Sequence, residues 1–373
     1  MAKRANGEGS ISKRVDGRWE ARITLPNGSR RAFYGKTRAE AHRGLTEALK
    51  AVQDGLPIVG ERQTVAQYLV VWLESVKPSL RDTTWTRYEG LLRLHAIPTL
   101  GKLRLARLSP QHLQTLYANR LTARLHATTV GHLHRVLHRA LRQAARWGLV
   151  ARNVADLVSP PKAERAEMRT FSPAEAQRFL EATSEDRLSA LYVVALSTGM
   201  REGELLALAW DAVDLDRVSL EVRATVHRTR QGFVFTPPKT PKSRRQVLLT
   251  PLAVAALRRH KAAQAEERLR LGAAWDGSLD LVFANEIGRP IEPQNLARRS
   301  YRRVLERAGL AYRPFHSLRH SAATLLLGRN VHPAIVASLL GHARVSTTLD
   351  VYSHALPTMQ QAATEAMQAV LGG

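Results

Sequence analysis

Cysteine is absent from the 373-residue chain, which excludes disulfides, thiolate metal sites and a cysteine nucleophile together. Any covalent chemistry must use another residue. Aromatic residues are scarce at 6%, but the 44% hydrophobic content still suffices for well-formed cores, and the length suggests two or three domains. No apolar run approaches the roughly eighteen residues a membrane-crossing helix needs. The opening MAKRANGEGS lacks the apolar stretch of a secretory signal, so a soluble intracellular protein is expected. Acidic residues are heavily outnumbered: 32 Asp and Glu face 56 Lys and Arg, a formal net charge of +24. That excess points to nucleic acid, bound with steep salt dependence because each neutralised phosphate releases counterions. Charge alone would also suit a basic ribosomal or membrane-surface protein, so motifs must decide.

The first segment reads as a small sheet with a helix. Asp16-Gly17 and Asn27-Gly28 are tight-turn signals that separate strands at Ser10 to Val15, Arg18 to Leu25 and Arg30 to Tyr34. Trp19, Ala21, Ile23 and Leu25 alternate with Arg18, Glu20, Arg22 and Thr24, giving one apolar and one polar face. Thr37 and Glu40 form a capping box for a helix toward Val52 that can cover the apolar face. A basic three-stranded sheet can enter a DNA groove, with Arg18, Arg22, Arg30 and Arg31 as candidate contacts; a solvated charged face is the alternative. Gly35-Lys36-Thr37 resembles the end of a phosphate-binding loop, but Arg30 stands where the first glycine is needed, so nucleotide binding is rejected.

Asp54 to Arg62, with Gly55, Pro57 and Gly60, reads as a linker. Helical spacing of apolar residues follows over Val65 to Val76, Thr83 to His95, Pro110 to Leu121 and Thr128 to Trp147, broken by Pro78 and by Pro98 to Gly101. The last of these bears His132, His134 and His138 among Arg135, Arg139, Arg142 and Arg146. His134 and His138 share a face, but no carboxylate or cysteine is expected to join them and the arginines would repel a cation. A phosphate-facing surface fits better, with Arg135, Arg139 and Arg142 as candidate DNA contacts. A second linker spans Ser159 to Arg169.

The third segment opens with Ser172, Pro173 and Glu175 as N-cap, first-turn proline and N3 acid. Ser219 to Val226 and Gly232 to Thr236 alternate as a hairpin, Arg245 to Leu249 follows, and Thr250-Pro251 starts another helix in a mainly helical remainder.

Breaking a phosphodiester without metal needs a nucleophile, a proton donor for the departing oxygen, and fixed positive charge around the phosphorane. In Leu196 to Leu206, Gly199 is expected to break two helices and leave Arg201 at a helix start that favours an anion, with Glu204 able to hold its guanidinium. In Pro314 to His320, positions 316, 319, 320 and 323 share one helix face and present His316, Arg319 and His320 above Leu318, Ala322, Leu325 and Leu326. Gly341 reads as a left-handed cap that projects His342. Tyr352 follows ten residues later. Lysine occurs after residue 165 only at 239, 242 and 261, and physics alone does not separate Lys239 from Lys242 in their inter-strand turn.

These residues closely resemble the tyrosine recombinase (phage integrase) family. Its TGLR-x-x-E run matches Thr198 to Glu204, its H-x-x-R His316 to Arg319, its LGH Leu340 to His342, and its nucleophile Tyr352; its strand-turn lysine before threonine favours Lys239. Met200 for the usual Leu is a mild departure. The resemblance covers 8 to 52, 64 to 155 and 165 to 365. It implies a multidomain, mainly α chain with small β parts. An arm-type DNA-binding domain over 1–55 pairs a three-stranded sheet with a helix, a four-helix core-binding domain spans 63–158, and a mixed α/β catalytic domain spans 165–373.

The resemblance also implies the chemistry. Tyr352 attacks to give a 3′-phosphotyrosyl link and a free 5′-hydroxyl, Arg201 and Arg319 bind the non-bridging oxygens, Lys239 protonates the leaving oxygen, His316 serves as acid and base, and His342 hydrogen-bonds the phosphate. No cofactor, metal or ATP is expected, and no membrane. The implied partners are double-stranded DNA at core and arm sites, a homo-tetramer on that DNA, a host bending protein and an excision factor, in the cytoplasm and nucleoid of a bacterial host. The tail from about Pro357 to Leu371 is expected to be helical and to dock on a neighbour or on its own domain. A type IB topoisomerase, a non-catalytic DNA-binding regulator and a metal-dependent nuclease are the rival readings.

Overall fold

Strands β1 (Ser10–Lys13), β2 (Trp19–Thr24) and β3 (Arg30–Gly35) form the expected antiparallel meander in the order β1-β2-β3. The computed structural model describes residues 9–24, 30–53, 63–163, 169–229, 231–238, 244–342, 344–351, 364–365 and 367–371. The Asn27-Gly28 turn and the whole of the first linker, Asp54 to Arg62, lie outside them. Helix α1 (Arg38–Gln53) lays Ala41, Leu45 and Ala48 on Ala21 and Ile23, with Phe33 and Trp19 at the margin. Thr37 caps the Glu40 N–H at 3.2 Å, while the Glu40 carboxylate reaches back to the Lys36 N–H rather than to that of Thr37. Glu20, expected on an open polar face, is buried beneath Arg22 and Arg14. Paired arginines can cover a carboxylate with their aliphatic stems.

The chain divides into two compact units at residues 165 and 166. Within the first, helices α2 (Val65–Val76), α3 (Asp82–Leu91), α4 (Ile97–Leu100), α5 (Pro110–Thr122) and α6 (Ala127–Arg146) enclose a core of their own around Tyr68, Trp72, Leu113, Leu133 and Leu137. Pro98 does not break the second helical column, as its sequence suggested. A π turn over Leu92–Ala96 carries α3 into α4, the Ile97 N–H bonding to the Leu92 carbonyl five residues back. Pro98 sits in the first turn of α4, where a missing N–H costs little. The Tyr68 hydroxyl donates to the Ala140 carbonyl at 2.5 Å, and Trp72 stacks on Tyr88.

The second unit begins with α7 (Pro173–Ala182), capped reciprocally by Ser172 and Glu175. It continues with α8 (Ser189–Thr198), α9 (Glu202–Leu205), strands β4 (Val213–Asp214), β5 (Ser219–Val222), β6 (Thr225–Thr229), β7 (Gly232–Thr236) and β8 (Arg245–Leu248), and α10 (Pro251–Leu271). Then come α11 (Pro293–Asn295), α12 (Arg302–Arg307), α13 (Ser317–Leu327), α14 (Pro333–Leu340) and α15 (Val345–Val351). The run Ser219 to Val226, expected to be one strand, divides in two. β5 lies between β4 and β8, while β6 pairs with β7 in a separate ribbon. At the bend between β5 and β6, Arg223 bonds Glu221 and Asp211. The largely buried α8 runs through the core beside Phe179, Tyr301 and Phe315. Residues 364, 365 and 367–371 are helical, and the rest of the expected tail helix lies outside the described residues. Among the described residues no helix is long and apolar enough to cross a membrane.

Because Trp72 is fully buried, Trp72→Ala should lower the stability of the helical unit by about 3–5 kcal/mol. Urea denaturation followed by far-ultraviolet circular dichroism measures it, and a loss below about 1 kcal/mol would contradict the central placement of this side chain.

Candidate active site

The site is assembled where α8 ends. Gly199 takes the left-handed conformation (φ 63°), and a β-carbon there would lie 2.5 Å from Leu340 Cδ2, so glycine lets the end of α8 approach the end of α14. The chain then reaches Arg201, the residue before α9. That helix has only four residues, so the expected help from a helix dipole is small and charge comes from the guanidinium. Glu204 is no surface carboxylate: it is 3% exposed and accepts from Arg201 Nη1 at 2.7 Å and the Arg201 N–H at 3.0 Å. Its Oε2 also receives Arg245 Nη2 at 3.0 Å.

The C-terminus of α14 supplies the second half. Gly341 closes that helix in the left-handed conformation (φ 67°) as expected, and the last carbonyls of a helix need outside donors. Guanidinium groups provide them. Arg245 Nε donates to Leu339 O at 2.7 Å, Arg319 Nη2 to Leu340 O at 2.8 Å, and Arg201 Nη2 more loosely to Gly341 O at 3.4 Å. Arg319 Nη1 also donates to Gly199 O at 2.7 Å, tying the two glycine turns together. His342 follows, its Nδ1 bonded to the buried Thr348 hydroxyl at 2.8 Å. That bond fixes the ring and leaves Nε2 as its other functional edge.

Arg319 is buried at 3% exposure and Ala323 is fully buried, so α13 does not present the open polar face its pattern suggested. Only His316 and the half-buried His320 reach outward, their rings packed edge to face at 4.8 Å. Arg319 is instead a buried cation satisfied by the Gly199 and Leu340 carbonyls. His316 is exposed. Crowding by protein, then His320, Arg319 and Arg201, pushes it down to about 4. His342 is likewise lowered to about 4, by burial first and then Arg319 and Arg201. Both imidazoles are therefore neutral at pH 7 in the free protein.

Arg201, Glu204, His316, Arg319 and His342 are thus brought together. Lys239, Lys242 and Tyr352 lie outside the described residues, although α15 ends at the residue before Tyr352. Of the other candidates, Arg18 pairs with Asp16 and Arg22 with Glu20, Arg30 is exposed, and the Arg31 side chain lies outside the described residues. Arg135, Arg139 and Arg142 form an exposed stripe on α6, Arg139 donating to the Tyr88 hydroxyl. A carboxylate does reach the histidines of α6: Asp156 bonds His138 at 2.6 Å, while His134 bonds the Tyr117 hydroxyl. Among the described residues no three His, Cys, Asp or Glu side chains could hold a metal ion.

Residues 169–359 match the phage integrase family model, and 64–122 match the phage integrase N-terminal SAM-like domain. The chain is 30% identical to a tyrosine recombinase XerC-like protein of Caldanaerobacter subterraneus over 357 residues, 91% of each chain. The chain belongs to the phage integrase family. Its activity is site-specific DNA recombination. An integrase of Streptomyces ambofaciens is 33% identical over 372 residues, 94% of each chain. In fold, the integrase chain matches the Tn1549 transposon integrase in complex with transposon right end DNA (TM-score 0.68, 19% identity, 81% of this chain and 100% of that one). It also matches a lambda integrase dimer bound to a core site (TM-score 0.57, 17% identity, 94% and 97%). The expected multidomain, mainly α fold with small sheets is therefore correct.

Two residues of this integrase site escaped the sequence reading, Arg245 and Thr348. Arg245 carried a signal: it stands in phase with buried Val247 on β8, opposite Val222 of β5, and an arginine at an inward strand position needs a partner. Thr348 carried none, since one hydroxyl beside Thr347 marks nothing by itself.

A histidine held below its ordinary value of 6.5 stays neutral in the fold at pH values where the unfolded chain binds a proton. Its contribution is complete above about pH 6.5 and falls as pH drops toward about 4. The urea midpoint of the second unit should decline across that window, and His342→Gln should flatten the decline. An unchanged slope in the variant would contradict the assignment.

Proposed function

We propose that the chain integrates and excises a mobile genetic element by metal- and ATP-independent strand exchange through a 3′-phosphotyrosyl intermediate. The observation that carries the reading is the meeting of Arg201 and Arg319 with two neutral histidines at the carbonyl end of α14. Arg201 and Arg319 take the non-bridging oxygens of the scissile phosphate and stabilise the charge that grows on them. An arriving phosphate offsets the guanidinium charge that depresses His316 and His342. Their proton affinity then rises, which suits His316 as acid and base for the tyrosine proton and His342 as a phosphate donor. Tyr352 is the nucleophile: forming its phenolate at pH 7 costs about 4 kcal/mol, which proton removal during attack and the neighbouring cations lessen. Lys239 protonates the leaving 5′-oxygen, and Glu204 holds Arg201.

Around this centre, 1–55 acts as the arm-type DNA-binding domain, 63–158 as the core-binding domain and 165–373 as the catalytic domain. Arg30 and the α6 stripe Arg135, Arg139 and Arg142 meet phosphates, and Arg18, Arg22 and Arg31 do so where their local partners yield. The working form is a tetramer on two duplexes, in the bacterial cytoplasm and nucleoid, aided by a host bending protein and an excision factor. The lambda integrase tetramer bound to a Holliday junction, similar in fold (TM-score 0.56, 17% identity), lends this assembly support.

A duplex from the junction of the element, nicked near the crossover, should trap a covalent complex with the wild type and none with Tyr352→Phe. Denaturing gel electrophoresis reads the result, and trapping by the Phe variant refutes the nucleophile.

A further inference from the structure

Among the described residues Arg245 is the least exposed cation of the site apart from Arg319, with 7% of its side chain accessible. It is poorly placed to touch DNA. Its guanidinium spans two parts of the site, with Nη2 on Glu204 Oε2 at 3.0 Å and Nε on Leu339 O at 2.7 Å. Room for it depends on Gly341, where a β-carbon would lie 2.9 Å from Arg245 Nη1. Arg201, by contrast, is 38% exposed, with a long side chain that gains little from a single surface ion pair. Its orientation is set by Glu204, which accepts from the guanidinium through Oε1 and from the Arg201 backbone N–H through Oε2.

Glu204 can do this only if it stays ionised and fixed while almost wholly buried. A buried carboxylate needs paired charge and hydrogen bonds on its remaining lone pairs. Arg245 is first among the influences that hold Glu204 in its charged form against burial. We propose that Arg245 is a positioning residue of the recombination reaction, clamping Glu204 to the carbonyl end of α14 so that Arg201 is held ready for the phosphate. This inference rests on the phosphate-binding role given to Arg201 above. Arg245 acts through Glu204, so the effect of losing it should disappear once Glu204 is gone.

The test uses the full chain with Arg245→Met, Arg245→Lys, Glu204→Gln and the Met/Gln double variant. Duplex affinity and the single-turnover rate of covalent trapping on the nicked duplex are measured for each. Arg245→Met should keep affinity within about threefold and slow trapping about tenfold or more. Arg245→Lys, able to reach Glu204 or Leu339 but not both, should restore part of the rate. In the Glu204→Gln background the Met change should slow trapping less than about threefold further. The Arg201 Nε–H resonance reads the positioning without DNA. It should be sharp in the wild type and the Lys variant and broadened in the Met variant, whether or not Tyr352 proves to be the nucleophile. A wild-type rate or an unchanged Arg201 resonance in Arg245→Met overturns the proposal. So do additive effects with Glu204→Gln, or equal loss of affinity and rate in both the Met and Lys variants.

Discussion

The carbonyl end of one short helix organises this site. Helix α14 leaves Leu339, Leu340 and Gly341 with oxygens that no turn of the helix satisfies, and Arg245, Arg319 and Arg201 each take one. A helix terminus of negative character therefore gathers three positive side chains that would otherwise repel one another. Glu204 lies among them as a buried acid bonded to two of the three. The arrangement is built before any phosphate arrives, so little reorganisation remains to be done when one does.

The same geometry explains why two glycines are needed and why the histidines are neutral. Gly199 and Gly341 both turn left-handed, and each leaves space that a methyl group would fill with Leu340 or Arg245. Close approach of the two turns brings Arg319 between them. Burial beside so many cations depresses His316 and His342, leaving the imidazoles able to accept a proton rather than holding one. Substrate charge is then the missing partner that shifts the balance, which couples proton transfer to occupancy of the site.

Much of this could be read from the chain because local rules and global fold agree. Pro-Gly punctuation, reciprocal caps such as Ser172 with Glu175, and helical periodicity located α2, α5 and α6 closely, together with the starts of α7 and α10. Gly199 and Gly341 were identifiable as helix ends because a left-handed residue favours glycine. What the pattern misplaced depended on tertiary partners. Pro98 was read as a stop because a π turn leaves no trace in composition, and Glu20 was read as exposed because its covering arginines also look like surface residues. Arg319 was placed on an open face because periodicity cannot tell a cation in solvent from one sheathed by carbonyls. Arg245 carried an inward phase on β8, but its partners, 41 and 94 residues away, could not be named from the sequence.

A structure of the Tyr352→Phe protein on its nicked core-site duplex would test this convergence most directly. The account predicts the scissile phosphate with non-bridging oxygens about 3 Å from guanidinium nitrogens of both Arg201 and Arg319, the position-352 ring beside it and Glu204 still holding Arg201. A phosphate lodged away from the end of α14, with neither guanidinium in contact, would contradict it.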